Sequence, residues 1–158
     1  MARLAERVLV GLITVGGAGL VPRLRGTSGT AAACLLLLLL IWLDLAGLWV
    51  RLGVAVLATV LALALAPWAM RRYGKKDPQC FVLDELAGYF LGVCGCGLGV
   101  LWWEALVAFG LFRIFDGFKP PPVRRLEGLG RGVGITADDL MAGLYTALCM
   151  AGVGAILG

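Results

Sequence analysis

Residues 31–50, AAACLLLLLLIWLDLAGLWV, and residues 52–70, LGVAVLATVLALALAPWAM, decide the fold. Each approaches the ~20 apolar residues with which a helix crosses a hydrocarbon core, and only Arg51 lies between them. The rest of the chain is of the same kind. Of its 158 residues 61% are hydrophobic and 15% charged, against about 25% charged in a soluble domain, and the mean hydropathy is +0.95. We read an integral membrane protein: an all-α, polytopic helical bundle forming one domain over residues 1–158.

Outward from that pair, Val8 to Leu20 is about thirteen residues and rich in Gly, too short for a span, and reads as a short N-terminal interfacial helix. No small-residue cleavage site follows it, so the start is read as retained. A polar loop covers residues 21–30, and Arg51-Leu52-Gly53 reads as a tight turn between the first two spans. A basic loop begins at Arg71. Leu86 to about Trp103 reads as a third span, with Trp102 and Trp103 as interfacial anchors and Glu104 as a polar turn. Ala105 to Phe118 returns, roughly 21 Å long at 1.5 Å per residue unless the helix starts before Glu104, and Pro120-Pro121-Pro122 ends it. A loop to Ala137 and a span from Asp138 to Leu157 complete about four to five membrane helices.

The net charge is +4, and ten of the fourteen Lys and Arg lie in three segments, at Arg23–Arg25, Arg71–Lys76 and Lys119–Arg131. In a basic soluble domain that balance would suggest nucleic acid; here the positive-inside rule is the better reading, with no nucleic-acid partner. Two hairpins of spans bring all three segments to one face, expected to be cytoplasmic. The five Cys lie mostly in apolar runs, and with no His in the chain a zinc site is not expected.

Six of the ten carboxylates fall in three stretches that the hairpins bring to that same face: Asp77, Asp84 and Glu85; Asp116; Asp138 and Asp139. Ionised groups at a membrane are costly and mark a partner or a task. The absence of His excludes a histidine nucleophile, no Cys is followed six positions later by Arg, and no Asp-x-Asp occurs. What is left is carboxylate, hard cation and basic side chain. Mg²⁺ takes oxygen ligands and is usually held by one or two carboxylates plus a substrate phosphate, so Glu85, Asp116 and Asp139 are the expected ligands, with Asp84 and Asp138 beside them. Lys119, Arg113 and Arg124 would neutralise phosphate oxygens. Thr136 with Asp139 matches a capping box at the start of the last span. Plainer readings exist for each: Arg113 and Asp116 can be a simple i,i+3 ion pair, Asp44 a packing residue, and Glu127 a solvated loop charge.

Three blocks then resemble a known family: DPQCFVLDELAG at residues 77–88, FRIFDGFKPPPVRRLE at 112–127 and GVGITADDLMAG at 132–143. In order and spacing they are similar to the phosphatidylglycerophosphatase A family, and Gly26-Thr27 with Gly29 and Ala31-Ala32 resembles its N-terminal block. The resemblance implies a multi-pass, Mg²⁺-dependent phosphatase of the bacterial cytoplasmic (inner) membrane. Its phospholipid substrate would be phosphatidylglycerophosphate, converted to phosphatidylglycerol. It implies catalytic roles for Asp84, Glu85, Asp116, Lys119, Asp138 and Asp139, and substrate-phosphate binding by Thr27, Arg113, Lys119 and Arg124. Arg25, Pro121, Arg131 and Thr136 depart from the family's usual residues, which bears on loop conformation and substrate preference and leaves every expected ligand intact. Two other classes fit less well. A CDP-alcohol phosphatidyltransferase would need Ala-Arg where Lys119-Pro120 stands, and a small transporter or scaffold would place ionisable groups nearer mid-bilayer.

Overall fold

The computed structural model describes residues 2–22, 25–121 and 133–157, the side chains of Ala2, Arg25 and Leu157 excepted. Among them are six α-helices and no strand: α1 (Ala2–Ile13), α2 (Arg25–Trp42), α3 (Leu48–Tyr73), α4 (Leu83–Val93), α5 (Trp102–Phe118) and α6 (Val133–Leu157). Single 3₁₀ turns occur at Ala18–Leu20 and Cys94–Cys96.

The short helix α4 is the centre of the bundle, packed against α2, α3, α5 and α6. Nine of its eleven residues are buried, as expected for a helix apolar on all sides. Against α3 the contact is made by alanines, since Ala55, Ala58, Ala62, Ala66 and Ala69 recur at helical spacing and are all buried. The opposite side of α3 exposes Val56, Leu57, Val60 and Leu63. Small residues inside and large apolar ones outside reverse the soluble pattern and suit a bundle whose surroundings are apolar. Against α6 the packing is closer still. A Cβ on Gly88 would collide with the Asp139 backbone, one on Gly143 with the Gly88 backbone, and one on Gly95 with the Ala147 backbone.

Two helices among the described residues are long and apolar enough to cross a membrane, Leu48–Tyr73 and Val133–Ile156, and Gly26–Trp42 is a shorter apolar helix. Several boundaries differ from the sequence expectation. The first hairpin turns at residues 43–47, not at Arg51-Leu52-Gly53. Asp44 takes a left-handed conformation (φ 58°), and the bonds Asp44 N–H to Ile41 O and Leu45 N–H to Leu40 O close α2 as a Schellman motif. The expected span from Leu86 to Trp103 is not one helix: α4 stops at Val93, and Gly97 at φ 80° turns the chain toward α5. Glycines at 92, 95, 97 and 99 lower helix propensity through that stretch. Glu104 lies inside the first turn of α5, where its carboxylate accepts the Leu101 N–H at 2.6 Å. The Thr136–Asp139 capping box does not form, because α6 begins at Val133 and both residues lie within it.

Arg51, moved by this from a turn into the first turns of α3, is fully buried. Its guanidinium donates to the carbonyls of Val93 and Gly97, so a cation meets the carbonyl end of α4 where the helix dipole is negative. The Arg51→Ala variant leaves both carbonyls unpaired beside a void. We expect it to lower stability by about 3 kcal/mol, given ~1–3 kcal/mol per hydrogen bond to a charged group plus the cavity. Thermal melting in detergent checks this, and an unchanged melting temperature would contradict it.

The same contacts define one end of the bundle. Leu48 N–H bonds Leu98 O at 3.2 Å, joining the α2–α3 turn to the loop before α5. Trp42, Trp49 and Trp102 are exposed there. The opposite end gathers the starts of α2, α4 and α6 with the ends of α3 and α5, and so brings the three acidic stretches together.

Candidate active site

At that second end a cavity of about 520 Å³ is lined by Asp77, Asp84, Glu85, Asp116, Asp138 and Asp139, together with Lys119, Gly26, Gln79, Phe81 and Ile135. The acids come from the loop before α4, the first turn of α4, the end of α5 and the second turn of α6. Asp84 is 1% exposed, Asp138 8% and Asp139 7%. Asp84 Oδ1 accepts the backbone N–H of Glu85 at 3.0 Å.

Glu85 is gripped from α2. Cβ atoms on Gly26 and Gly29 would lie 2.6 Å from its two carboxylate oxygens, and one on Gly29 would also meet Val82 Cβ at 2.5 Å, so a larger residue at either position would displace the Glu85 carboxylate. Thr30, fully buried one turn further on, places its hydroxyl 3.2 Å from Glu85 Oε2. Arg113 on α5 closes the arrangement: its Nη1 is 2.8 Å from Asp116 Oδ2, 3.9 Å from Glu85 Oε1 and 3.5 Å from Thr30 Oγ1. Across the cavity, Lys119 Nζ lies 2.7 Å from Asp138 Oδ2. Lys119 ends α5 at φ 45°, with its N–H bonded to Phe115 O. A left-handed backbone at a lysine is unfavourable and is found mostly where function holds it.

Electrostatically the cavity is over-supplied with negative charge. Burial first, then the facing Asp139, pushes the Glu85 carboxyl up to about 9 despite Arg113. Burial and then Glu85 raise Asp84 well above the usual carboxylate range. Among the described residues two cations, Lys119 and Arg113, stand against six acids. The donors lining the cavity are carboxylate oxygens without His or Cys, the chemistry a hard divalent cation prefers. Among the described residues no three acidic side chains stand close enough together to enclose a metal ion as placed. The fit is one of donor type and charge.

The expected residues divide clearly. Asp84, Glu85, Asp116, Lys119, Asp138 and Asp139 line one cavity. Arg113 lies behind it, tied to Asp116 and facing Glu85. Thr27 is part-buried in the first turns of α2 and is absent from the lining; Thr30 is the hydroxyl that reaches Glu85. Arg124 and Glu127 lie outside the described residues. Asp77 and Gln79, given no role from sequence, line the cavity; an acid and an amide flanking Pro78 were the available signal.

Comparison with known proteins gives the chain's family. The family model described as phosphatidylglycerophosphatase A matches residues 11–154. A Haemophilus influenzae protein named phosphatidylglycerophosphatase A is 35% identical over 87% of this chain and 83% of its own length. An Escherichia coli protein of the same name is 33% identical over 86% and 78%. A Bacteroides thetaiotaomicron protein under the provisional name phosphatidylinositol-3-phosphatase is 35% identical over 91% of both chains. No solved structure matches significantly. The match spans α2 to α6 and every acid of the cavity, and the chain belongs to the phosphatidylglycerophosphatase A family, a family of phosphatases.

Proposed function

We propose that this protein hydrolyses the terminal phosphomonoester of phosphatidylglycerophosphate, releasing phosphate and leaving phosphatidylglycerol, in a Mg²⁺-dependent reaction at the carboxylate cavity. The observation that carries the reading is the convergence of six acids and Lys119 from four separate segments on one cavity, in a chain of this family. Glu85, Asp116 and Asp139 would hold the ion. Mg²⁺, when bound, polarises a P–O bond and lowers the pKa of a bound water. Lys119 places a positive charge where phosphoryl oxygens gain negative charge, and Asp138 holds its ammonium in position. Arg113 pairs with the carboxylates of Asp116 and Glu85, and Thr30 donates its hydroxyl to Glu85 from the other side.

The cavity end would face the cytoplasm, with Arg71, Arg72, Lys75 and Lys76 exposed beside it. The exposed Trp42, Trp49 and Trp102 would mark the opposite interface. Helices α2, α3, α5 and α6 would span a bacterial inner membrane, and α4 would be enclosed among them.

The Bacteroides relative favours a second reading, a phosphoinositide 3-phosphate. Both substrates present a phosphomonoester on a headgroup joined to the lipid by a phosphodiester; they differ in the leaving alcohol, primary on glycerol and secondary on an inositol ring. Phosphate release from the two lipids at equal surface concentration tests the choice. A larger kcat/KM for phosphatidylglycerophosphate is expected, and the reverse order would overturn the substrate assignment.

A pH dependence follows from Glu85. With its carboxyl raised to about 9, the cation-free site keeps a proton there at neutral pH, and a cation must displace it. Mg²⁺ affinity should therefore rise with pH, by about tenfold per unit for each proton released, and level off above about 9. Mg²⁺ titrations of activity between pH 6 and 9 check this; a flat affinity would contradict it.

A further inference from the structure

Helix α1 and the end of α3 form a second site of opposite charge. A groove of about 430 Å³ is lined by Arg3, Glu6, Arg7, Val10 and Arg72, and shares no residue with the carboxylate cavity. Arg72 Nε bonds Glu6 Oε1 at 2.8 Å, both side chains about half exposed. That pairing uses the groove's acid and pins α1 to α3. Arg3 and Arg7, four residues apart and so on one helical face, are exposed, and among the described residues neither forms an ion pair. On the adjacent face Leu4, Val8 and Leu12 are 69%, 55% and 41% exposed, an apolar stripe at i, i+4, i+8 with no neighbour covering it. Leu20 and Val21 are exposed next along the chain.

We propose that this groove is a binding site for the phosphate of an anionic membrane lipid, separate from the active site. The stripe of Leu4, Val8 and Leu12 would enter the acyl boundary of the bilayer, and Arg3, Arg7 and Arg72 would hold the headgroup phosphate. Helices with an apolar stripe beside Arg lie in the interface plane in this way, and basic residues there favour anionic lipid. The stripe distinguishes a lipid from free phosphate, which would use the arginines alone. Position gives the site consequence. Ile13, the last residue of α1, accepts the Val82 N–H at 2.9 Å, and Val82 immediately precedes α4 with Asp84 and Glu85. The helix that carries the groove is therefore bonded, at its other end, to the segment that leads into the carboxylate cavity.

The test is thermal melting of the full chain in maltoside micelles doped with dioleoyl phosphatidylserine, dioleoyl phosphatidylcholine or inorganic phosphate. Phosphatidylserine should raise the melting temperature by about 3–5 °C near ten times half-saturation, with phosphatidylcholine and free phosphate giving little. The shift should shrink in 0.5 M salt. It should be lost in Arg3→Gln/Arg7→Gln and kept in Arg3→Lys/Arg7→Lys, while both variants retain the parent's rate of phosphate release. An equal shift with phosphatidylcholine, no shift with phosphatidylserine, or a shift that survives in Arg3→Gln/Arg7→Gln would each overturn the proposal. Because the readout is melting, it stands or falls independently of the substrate assigned to the cavity.

Discussion

Replacing Glu85 by Gln is expected to lower phosphate release from phosphatidylglycerophosphate by about a hundred- to a thousandfold, the range seen when one group of a preorganised electrostatic site is lost. The substitution keeps the shape that Gly26 and Gly29 accommodate and can still bond Thr30, so folding should survive. What it removes is the carboxyl that a cation would ionise by displacing its proton, facing Asp139 and Asp116 across the cavity. A neutral amide is a poor ligand for Mg²⁺ and leaves Arg113 with Asp116 alone. The control is the melting curve, which should be little changed, since the Glu85 carboxyl of the cation-free parent is itself neutral at pH 7. A variant that folds and keeps more than about a tenth of the parent rate would remove Glu85 from the chemistry, given the ~10²–10⁴-fold such groups ordinarily contribute.

The second large effect is expected at a residue that carries no charge. Gly88 lies one turn beyond Asp84 and Glu85, and a Cβ there would meet the Asp139 backbone and, at 2.7 Å, Phe112 Cε2. Backbone cannot yield as a flexible side chain can, so Gly88→Val must move α6 away from α4. Overpacking of this kind costs about 1–3 kcal/mol, and the displacement is applied at Asp139 itself. A misplacement of about 1 Å can cost ~10²-fold in rate. We expect activity to fall by about a hundredfold together with a lower melting temperature. Gly110→Ala on α5, where an added Cβ meets nothing within 4 Å, should change neither. If Gly88→Val kept full activity, the close α4–α6 crossing would not be what sets the cavity.

These two residues show how unevenly the molecule could be read from its sequence. The acids were legible because carboxylates in so apolar a chain are rare, and counting apolar runs brought the three stretches to one end. Six of the expected catalytic residues do line one cavity. Helix ends were less legible. Asp44 looked like a charge inside a span, whereas its tolerance of the left-handed conformation lets it end α2. Arg51 looked like a turn residue because charge punctuates apolar runs; its partners are carbonyls more than 40 residues away, and backbone acceptors carry no sequence signal. Gly26 and Gly29 read as part of a polar loop and Gly88 as part of a span, and only coordinates show that the atoms they admit belong to Glu85 and Asp139. Thr27 and Thr30 illustrate the remaining limit: both precede the same apolar run, and only the coordinates show that Thr30 is the one whose hydroxyl reaches Glu85.

The central claim is that this carboxylate cavity performs metal-assisted phosphomonoester hydrolysis. Phosphate release from phosphatidylglycerophosphate by the detergent-purified protein, measured with Mg²⁺, after EDTA, and after Mg²⁺ is restored, tests it most directly. The account predicts release with Mg²⁺, loss in EDTA and recovery on re-addition. Release at the full rate in EDTA, or none with any divalent cation, would contradict it.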